Sequence, residues 1–243
     1  MNKNQDTLSV VMPVYNEEEI IETVVLSWYR MLEALDVDFS IRCYNDGSRD
    51  KTGEILDTLA ASLPRLIVKN KANSGHGATI MKGYEDASSS DWVFQIDSDN
   101  EILADQFEKL WVIKNDYDFL LGTRSHAGSP LSRRIISFIA RLVIKVGFRS
   151  SIEDVNSPFR LFRSETVSPL VKRIPADTFA PNILITGLVS AHNLRVKEVA
   201  IENGLRQTGT VSIKHWRLIS VALQSFRESI SFVMRYRKGD TSG

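Results

Sequence analysis

From residue 8 to residue 122 the chain alternates short β-rich runs with helical periodicities, and each run stops abruptly in a polar, turn-forming cluster. Leu8–Met12, Phe39–Tyr44, Arg65–Lys69, Trp92–Ile96 and Asp118–Gly122 read as strands; stretches from Glu17 to Ala34, Thr52 to Ala61, Gly77 to Ala87 and Gln106 to Lys114 read as helices. Strands that alternate with helices through short connections predict an α/β fold, with a mainly parallel central sheet flanked by helices and right-handed crossovers. In such a sheet the carboxyl ends of the strands share one edge, which is where open α/β sheets bind ligands.

The second half has a different texture. Leu131 to Phe148 mixes Arg134, Arg141 and Lys145 with Ile135, Ile136, Phe138, Ile139, Leu142, Val143 and Val146, the pattern of a cationic amphipathic helix. A strand near Arg160–Phe162, helices near Glu165–Val171 and Ile183–Ala191, and a strand at Leu194–Val199 follow. A long helix from about His215 to Tyr236 leads to the polar tail Lys238–Gly243. We therefore expect a domain over 1–212, with halves 1–122 and 123–212, and a helical appendage with tail over 213–243. The formal net charge of zero conceals a division: residues 1–121 hold 11 Lys/Arg against 22 Asp/Glu, and residues 122–243 hold 19 against 8. An acidic half suits a metal site and a basic half suits phosphates or an anionic surface; a charge-balanced dimer would produce the same pattern. Cys43 is the only cysteine, so no internal disulfide can form, as expected of a reducing compartment. No segment reaches the ~18 uninterrupted apolar residues of a spanning helix, and the amino terminus lacks a secretory leader's pattern. The expectation is a cytoplasmic chain, soluble or at the cytoplasmic face of a membrane, with no nucleic-acid partner.

Four clusters should meet at the sheet edge: Pro13-Val14-Tyr15-Asn16-Glu17, Asn45-Asp46-Gly47-Ser48-Arg49-Asp50, Asn73-Ser74-Gly75-His76-Gly77 and Asp97-Ser98-Asp99. The last continues to Asn100-Glu101, placing three acids on alternate positions beyond a buried strand. Hard divalent cations take oxygen ligands, and Mg²⁺ commonly combines one or two carboxylates with substrate phosphates. Read blandly, the same acids make a turn before a helix. Neither Gly-x-x-x-x-Gly-Lys-Ser/Thr nor Gly-x-Gly-x-x-Gly after the first strand occurs, which argues against kinase-type and NAD-type sites.

In order, VVMPVYNEEEIIE, YNDGSRDKTGEIL, NSGHGATIMKGYEDA, DWVFQIDSDNE and DFLLGTR resemble the nucleotide-sugar domain of family 2 inverting glycosyltransferases. The later blocks RRIIS (133–137), DVNSPFR (154–160) and RQTGTVS (206–212) resemble the polyprenyl-phosphate hexosyltransferase branch, typified by dolichyl-phosphate mannose synthase. The likeness runs from Leu8 to about Arg237 and implies a glycosyltransferase A-type fold. It implies a metal-dependent transfer of a hexose from a nucleotide sugar to a polyprenyl phosphate, with Mg²⁺ or Mn²⁺ as cofactor. By position, Pro13, Tyr15 and Glu17 would flank the nucleoside, Asp46 would contact base or ribose, and Gly75 would belong to the donor site. Asp97, Asp99 and Glu101 would hold the cation and Arg206 the donor phosphate. Arg124, Arg133 and Ser137 would receive the acceptor phosphate, and Asp154 would stand at the reaction centre with Asp99 and Arg206.

Two departures bear on this. Asn45 stands where many relatives carry a second aspartate, and Pro158 replaces the common glycine before Phe-Arg. The carboxyl-terminal transmembrane helices of many relatives have no counterpart here, so a lipid acceptor would be met at the bilayer surface, with 131–148 and 215–236 as interfacial helices; domain or dimer packing explains their pattern equally. The competing readings keep the donor but use a saccharide or other hydroxyl acceptor with Asp154 as base, or make the chain a non-catalytic nucleotide-sugar-binding subunit. Arg160 and Arg163 are expected to be structural, paired with Glu153 or Asp154. His76 reads as a loop residue near the ligand, Glu198 and Glu202 as a solvated strand edge, and Trp28, Met31, Leu32 and Leu35 as core.

Overall fold

The computed structural model describes residues 6–124, 141–148, 150–202 and 215–238, the span 215–223 by its backbone alone. Seven strands form one sheet: β1 (Thr7–Val14), β2 (Asp38–Asp46), β3 (Leu66–Lys71), β4 (Trp92–Gln95), β5 (Phe119–Arg124), β6 (Arg160–Arg163) and β7 (Val196–Ile201), in the order β3-β2-β1-β4-β6-β5-β7. The β6 strand pairs antiparallel with both β4 and β5, and every other pairing is parallel. Since two reversals restore direction, β1 to β5 and β7 all point their carboxyl ends at the same edge.

Two helical layers cover the sheet, and strand alternation decides which side chain feeds which layer. Leu8, Val10, Met12, Phe94 and Leu120 pack with helix α1 (Ile21–Ala34) and α2 (Thr52–Ser62). Val11, Val93, Phe119 and Leu121 pack with α3 (His76–Ala87), α6 (Ser164–Val171) and α7 (Pro181–Ala191). Helix α1 turns Ile21, Val24, Val25, Trp28 and Leu32 inward, the i, i+3, i+4 spacing of one buried stripe. At its centre the Phe94 ring lies 5.3 Å from Trp28, 4.7 Å from Phe107 and 4.8 Å from Phe159. Each such fully buried aromatic contributes about 1.5–3 kcal/mol of burial, with edge-to-face geometry adding to it. Helix α5 (141–148) and α8 (His215–Arg237) meet where Gly147 faces Val233 and where the Phe148 ring lies 5.3 Å from Tyr236.

Two expectations need correction. The helix expected over Gln106–Lys114 is broken into a 3₁₀ turn (Ala104–Phe107), a single α turn α4 (Glu108–Trp111) and a second 3₁₀ turn (Lys114–Asp116). β-Branched Val112 and Ile113 followed by turn-forming Asn115 and Asp116 give little to propagate it. Neither Arg160 nor Arg163 pairs with Glu153 or Asp154 as expected. Arg160 is wholly buried and donates to the carbonyls of Ser157 and Asn182, while Arg163 lies over the Trp92 ring.

Candidate functional site

The tips of β1, β2 and β4 and the start of α3 enclose a cavity of about 370 Å³. Its walls include Pro13, Tyr15, Glu17, Asp46, Gly75, Asp97 and Asp99, all expected from the sequence to meet there, together with His76, Thr79 and Ser98. The backbone turns that deliver them are special. Asn16 and Asn100 adopt left-handed conformations (φ 55° and 56°) at the ends of β1 and β4, a region asparagine tolerates better than most residues.

Neighbouring tips are cross-braced. Asn16 N–H donates to Ser48 Oγ at 3.0 Å, Arg49 N–H to Asn16 Oδ1 at 2.8 Å, and Glu17 N–H to Thr52 Oγ1 at 2.8 Å. Asn45 spends its amide on the scaffold: Nδ2 donates to Asn70 Oδ1 at 2.8 Å, and Oδ1 accepts from Ser48 N–H at 3.1 Å. That residue braces the turn and does not line the cavity.

Asp46 organises the loop before α3. Its carboxylate accepts from the backbone N–H of Ser74 (2.8 Å) and of Gly75 (2.9 Å) and from the Lys71 ammonium. Lys71 also reaches Ser74 Oγ at 2.6 Å and Thr79 Oγ1 at 3.1 Å. Burial by itself would raise the Asp46 carboxyl. The hydrogen bonds from Lys71 and Ser74 and the Lys71 charge outweigh it and hold the group below the ordinary carboxylate range. Gly75 can follow because its φ of 90° suits glycine. Lys71 and Thr79 were missed in the sequence. Lys71 lies in β3 two positions before the Asn-Ser-Gly cluster, and a cation there is the only sign it offers.

Asp97 supplies the observation most relevant to a cation. Its Oδ1 is buried and has no hydrogen-bond partner among the described residues; the nearby His76 Nε2 stands 3.7 Å away. A buried carboxylate oxygen without a partner is costly unless a ligand or ion completes it. Asp99 joins it in the wall, its Oδ1 accepting Glu101 N–H at 3.1 Å. Two oxygen-donor side chains fit Mg²⁺ or Mn²⁺, which would draw its remaining ligands from phosphates or water. Glu101 is outside the cavity wall, and among the described residues no three acids, histidines or cysteines gather into a closed cation site. The residues present suit an ion shared with a ligand.

Beside this edge, at the end of β5, Arg124 meets Asp154: Nε to Oδ2 is 3.1 Å and Nη2 to Oδ1 is 3.4 Å, with both side chains largely buried. Burial pulls the Arg124 guanidinium down, but Asp154, then Asp97 and Glu101, hold it above its usual value. The pair therefore stands within electrostatic reach of the acid cluster. Glu198, expected as a solvated strand edge, instead accepts the backbone N–H of Glu153 (2.9 Å) and Asp154 (3.1 Å). Arg133, Ser137 and Arg206 lie outside the described residues.

Comparison with known proteins decides the family. Residues 9–168 match the model of glycosyl transferase family 2. The chain belongs to that family. Among curated relatives, it is 25% identical over 218 residues to the undecaprenyl-phosphate 4-deoxy-4-formamido-L-arabinose transferase of Yersinia enterocolitica, covering 88% of this chain and 64% of that protein. It is 27% identical over 217 residues to the protein of that name from Pseudomonas syringae pv. syringae, covering 88% and 63%. The family 2 chain thus spans just under two thirds of the length of these relatives. Among solved structures, glucosyl-3-phosphoglycerate synthase from Mycobacterium tuberculosis in complex with phosphoglyceric acid superposes with a TM-score of 0.67 at 17% identity, over 94% of this chain and 80% of that one. The same enzyme with Mn²⁺, UDP-glucose and phosphoglyceric acid gives 0.67 at 18% identity with the same coverage. These likenesses show a glycosyltransferase A-type fold. Among the described residues no helix is long and apolar enough to cross a membrane.

Proposed function

We propose that this family 2 chain transfers a hexose from a nucleotide sugar to a polyprenyl phosphate, with inversion at the anomeric carbon and with Mg²⁺ or Mn²⁺. The observation that carries the donor side is a cavity uniting Pro13, Tyr15, Glu17, Asp46, Gly75, Asp97 and Asp99, with a buried carboxylate oxygen in its wall that has no hydrogen-bond partner among the described residues. The acceptor rests on the curated relatives, which are named for undecaprenyl phosphate.

In this reading Asp46 and Tyr15 hold the nucleoside, and Asp97 and Asp99 hold the divalent ion. When bound, the ion offsets charge developing on the departing diphosphate. Asp46 needs no help from substrate to stay ionised and in place, because Lys71, Ser74 and Gly75 already fix it. A lipid monophosphate has a second pKa near ~6 and is largely an anionic nucleophile at neutral pH. Such an acceptor needs positioning by cations more than a base. Arg124, held against Asp154, would meet it at the β5 end of the edge, with Arg133 and Ser137 completing the phosphate seat. Arg206 would grip the donor phosphate. A hydroxyl acceptor would instead require a free base, and both Asp154 oxygens are engaged by Arg124. We place the chain at the cytoplasmic face of a membrane, with α5 and α8 in contact with lipid, and the appendage 213–243 serving that contact.

The test is a transfer screen of UDP- and GDP-linked hexoses with Mn²⁺ or Mg²⁺, with and without a short polyprenyl phosphate. Lipid-phosphate-dependent release of nucleoside diphosphate, abolished by chelation, is the expected result. Asp99→Ala should lower turnover at least about a hundredfold, the scale of lost electrostatic stabilisation of a leaving group, at unchanged melting temperature. Undiminished turnover in that variant rejects the cation assignment.

A further inference from the structure

Glu198 lies on β7 opposite Leu121 of β5, among residues whose charged side chains are otherwise solvated, and nothing in its sequence context marks it. Its carboxylate nonetheless has two specific partners. One oxygen, Oε1, accepts the consecutive backbone N–H groups of Glu153 and Asp154. The loop they belong to is otherwise pinned downstream, where Ser157 Oγ donates to the Gly122 carbonyl at 2.6 Å and Arg160 donates to the Ser157 carbonyl. Upstream, Ile152 N–H donates to Ser150 Oγ, which accepts from Ser190 Oγ of α7 at 2.8 Å, and just past Asp154 the Val155 carbonyl accepts from Thr186 Oγ1 of α7 at 3.0 Å. Among the described residues, Glu198 is therefore the side chain that holds the backbone N–H groups of Glu153 and Asp154.

Asp154 is 6% exposed and grips Arg124 through both oxygens. A carboxylate set by its own backbone can hold a guanidinium in one orientation only while that backbone stays put, and small displacements at such sites carry large rate penalties. We propose that Glu198 is a positioning residue, fixing the Asp154 backbone so that the Asp154–Arg124 pair presents its guanidinium to the acid-lined edge. The inference rests on the transferase reading for its catalytic consequence, though not for its geometry. Glu198 touches neither substrate nor ion in this scheme and acts only through Asp154.

The full chain with Glu198→Gln and Glu198→Leu supplies the test. Glutamine retains an Oε1 that can accept both N–H groups, whereas leucine retains none. Amide exchange followed by mass spectrometry should quicken about tenfold or more at 153 and 154 in Glu198→Leu, with β6 unchanged, and stay near wild type in Glu198→Gln. Turnover in the UDP- or GDP-hexose and polyprenyl-phosphate assay should fall roughly tenfold to a hundredfold in Glu198→Leu, the scale seen when outer partners of site ligands are removed. The KM for the nucleotide sugar should stay within about twofold, because the cavity wall is untouched, and Glu198→Gln should recover most of the loss. Unaltered exchange at 153–154 overturns the proposal at its first step. Faster exchange with wild-type turnover also overturns it, reducing Glu198 to a loop clasp. So does a loss confined to donor KM. A wild-type chain that transfers nothing under any condition sinks the transferase reading instead, and the exchange measurement still reports on the clasp.

Discussion

At the scale of single residues, the site depends on carboxylates held in opposite ways. Asp46 is saturated from within the chain, whereas Asp97 keeps a buried oxygen with no hydrogen-bond partner among the described residues. The first braces the loop before α3, and the second is proposed to bind an ion. Because the Asp46 carboxyl is held below its ordinary range in the folded chain, its contribution is fully present above the unfolded value of ~3.9 and is lost as pH falls through that value toward the folded one. Asp46→Asn should therefore destabilise the chain at pH 7 by about 1.5–3 kcal/mol, the worth of hydrogen bonds to a charged group. The gap should narrow below about pH 4, where the unfolded chain takes up a proton on this carboxylate that the folded one still refuses. Guanidinium unfolding at a series of pH values measures the gap directly, and one that stays constant into acid contradicts the account. The same variant should weaken nucleotide binding, since the side chain lines the cavity.

At the scale of elements, α3 is the joint on which the cavity turns. Its second residue, Gly77, packs so closely on the preceding turn of α7 that an added Cβ would come within 2.1 Å of the Thr178 carbonyl oxygen and 2.8 Å of that of Phe179. That turn cannot easily yield, because Glu228 of α8 accepts Thr178 Oγ1 at 2.6 Å and the N–H groups of Phe179 and Ala180 at 3.1 Å. Two effects compete in Gly77→Ala. Alanine gains at most ~1 kcal/mol of helix propensity, and overpacking costs about 1–3 kcal/mol. Backbone atoms on both sides make the clash the larger effect. We expect a melting temperature lower by roughly 3–10 °C and weaker nucleotide binding, because Gly75 and His76 move with the helix start. A variant as stable as wild type would show that the turn relaxes.

How much of this was legible beforehand follows the range of each interaction. Val10, Val11, Val93 and Phe94 announce strands by local composition, and Asp46, Asp97 and Asp99 announce a shared edge because parallel topology aligns strand ends. The antiparallel insertion of β6 between β4 and β5 could not be read, since pairing order is settled by packing between distant segments. Lys71 and Glu198 stayed hidden for the same reason: their partners lie 25 and 44 positions away.

For the molecule as a whole, the charge division acquires a geometry. The acidic half lines the cavity at the sheet edge, and the basic half ends in helices whose outward side chains are mixed. On α5, Leu142 and Val146 are exposed (49% and 62%) beside exposed Lys145; on α8, Phe226 and Met234 are exposed beside Arg227, Arg235 and Arg237. The two helices are locked together, since Arg237 donates to the carbonyls of Val146 and Gly147 and Val233 fills the space over Gly147. Anything that seats one helix thus seats the other, and α8 reaches the cavity through Glu228 and Gly77. If this face meets a bilayer, its cations contribute about 1 kcal/mol each near an anionic surface, and its apolar side chains add burial that salt does not screen. Co-flotation with vesicles rich in anionic lipid should therefore be strong at about 0.1 M salt and much reduced at about 1 M, where the Debye length falls from ~10 to ~3 Å. Val146→Glu together with Met234→Glu should weaken flotation at both salt concentrations, because the apolar contribution is lost along with favourable charge. Flotation on uncharged vesicles equal to that on anionic ones would deny the cations their part. An absence of flotation on either would return α5 and α8 to the role of packing against a protein partner or a second copy of the chain.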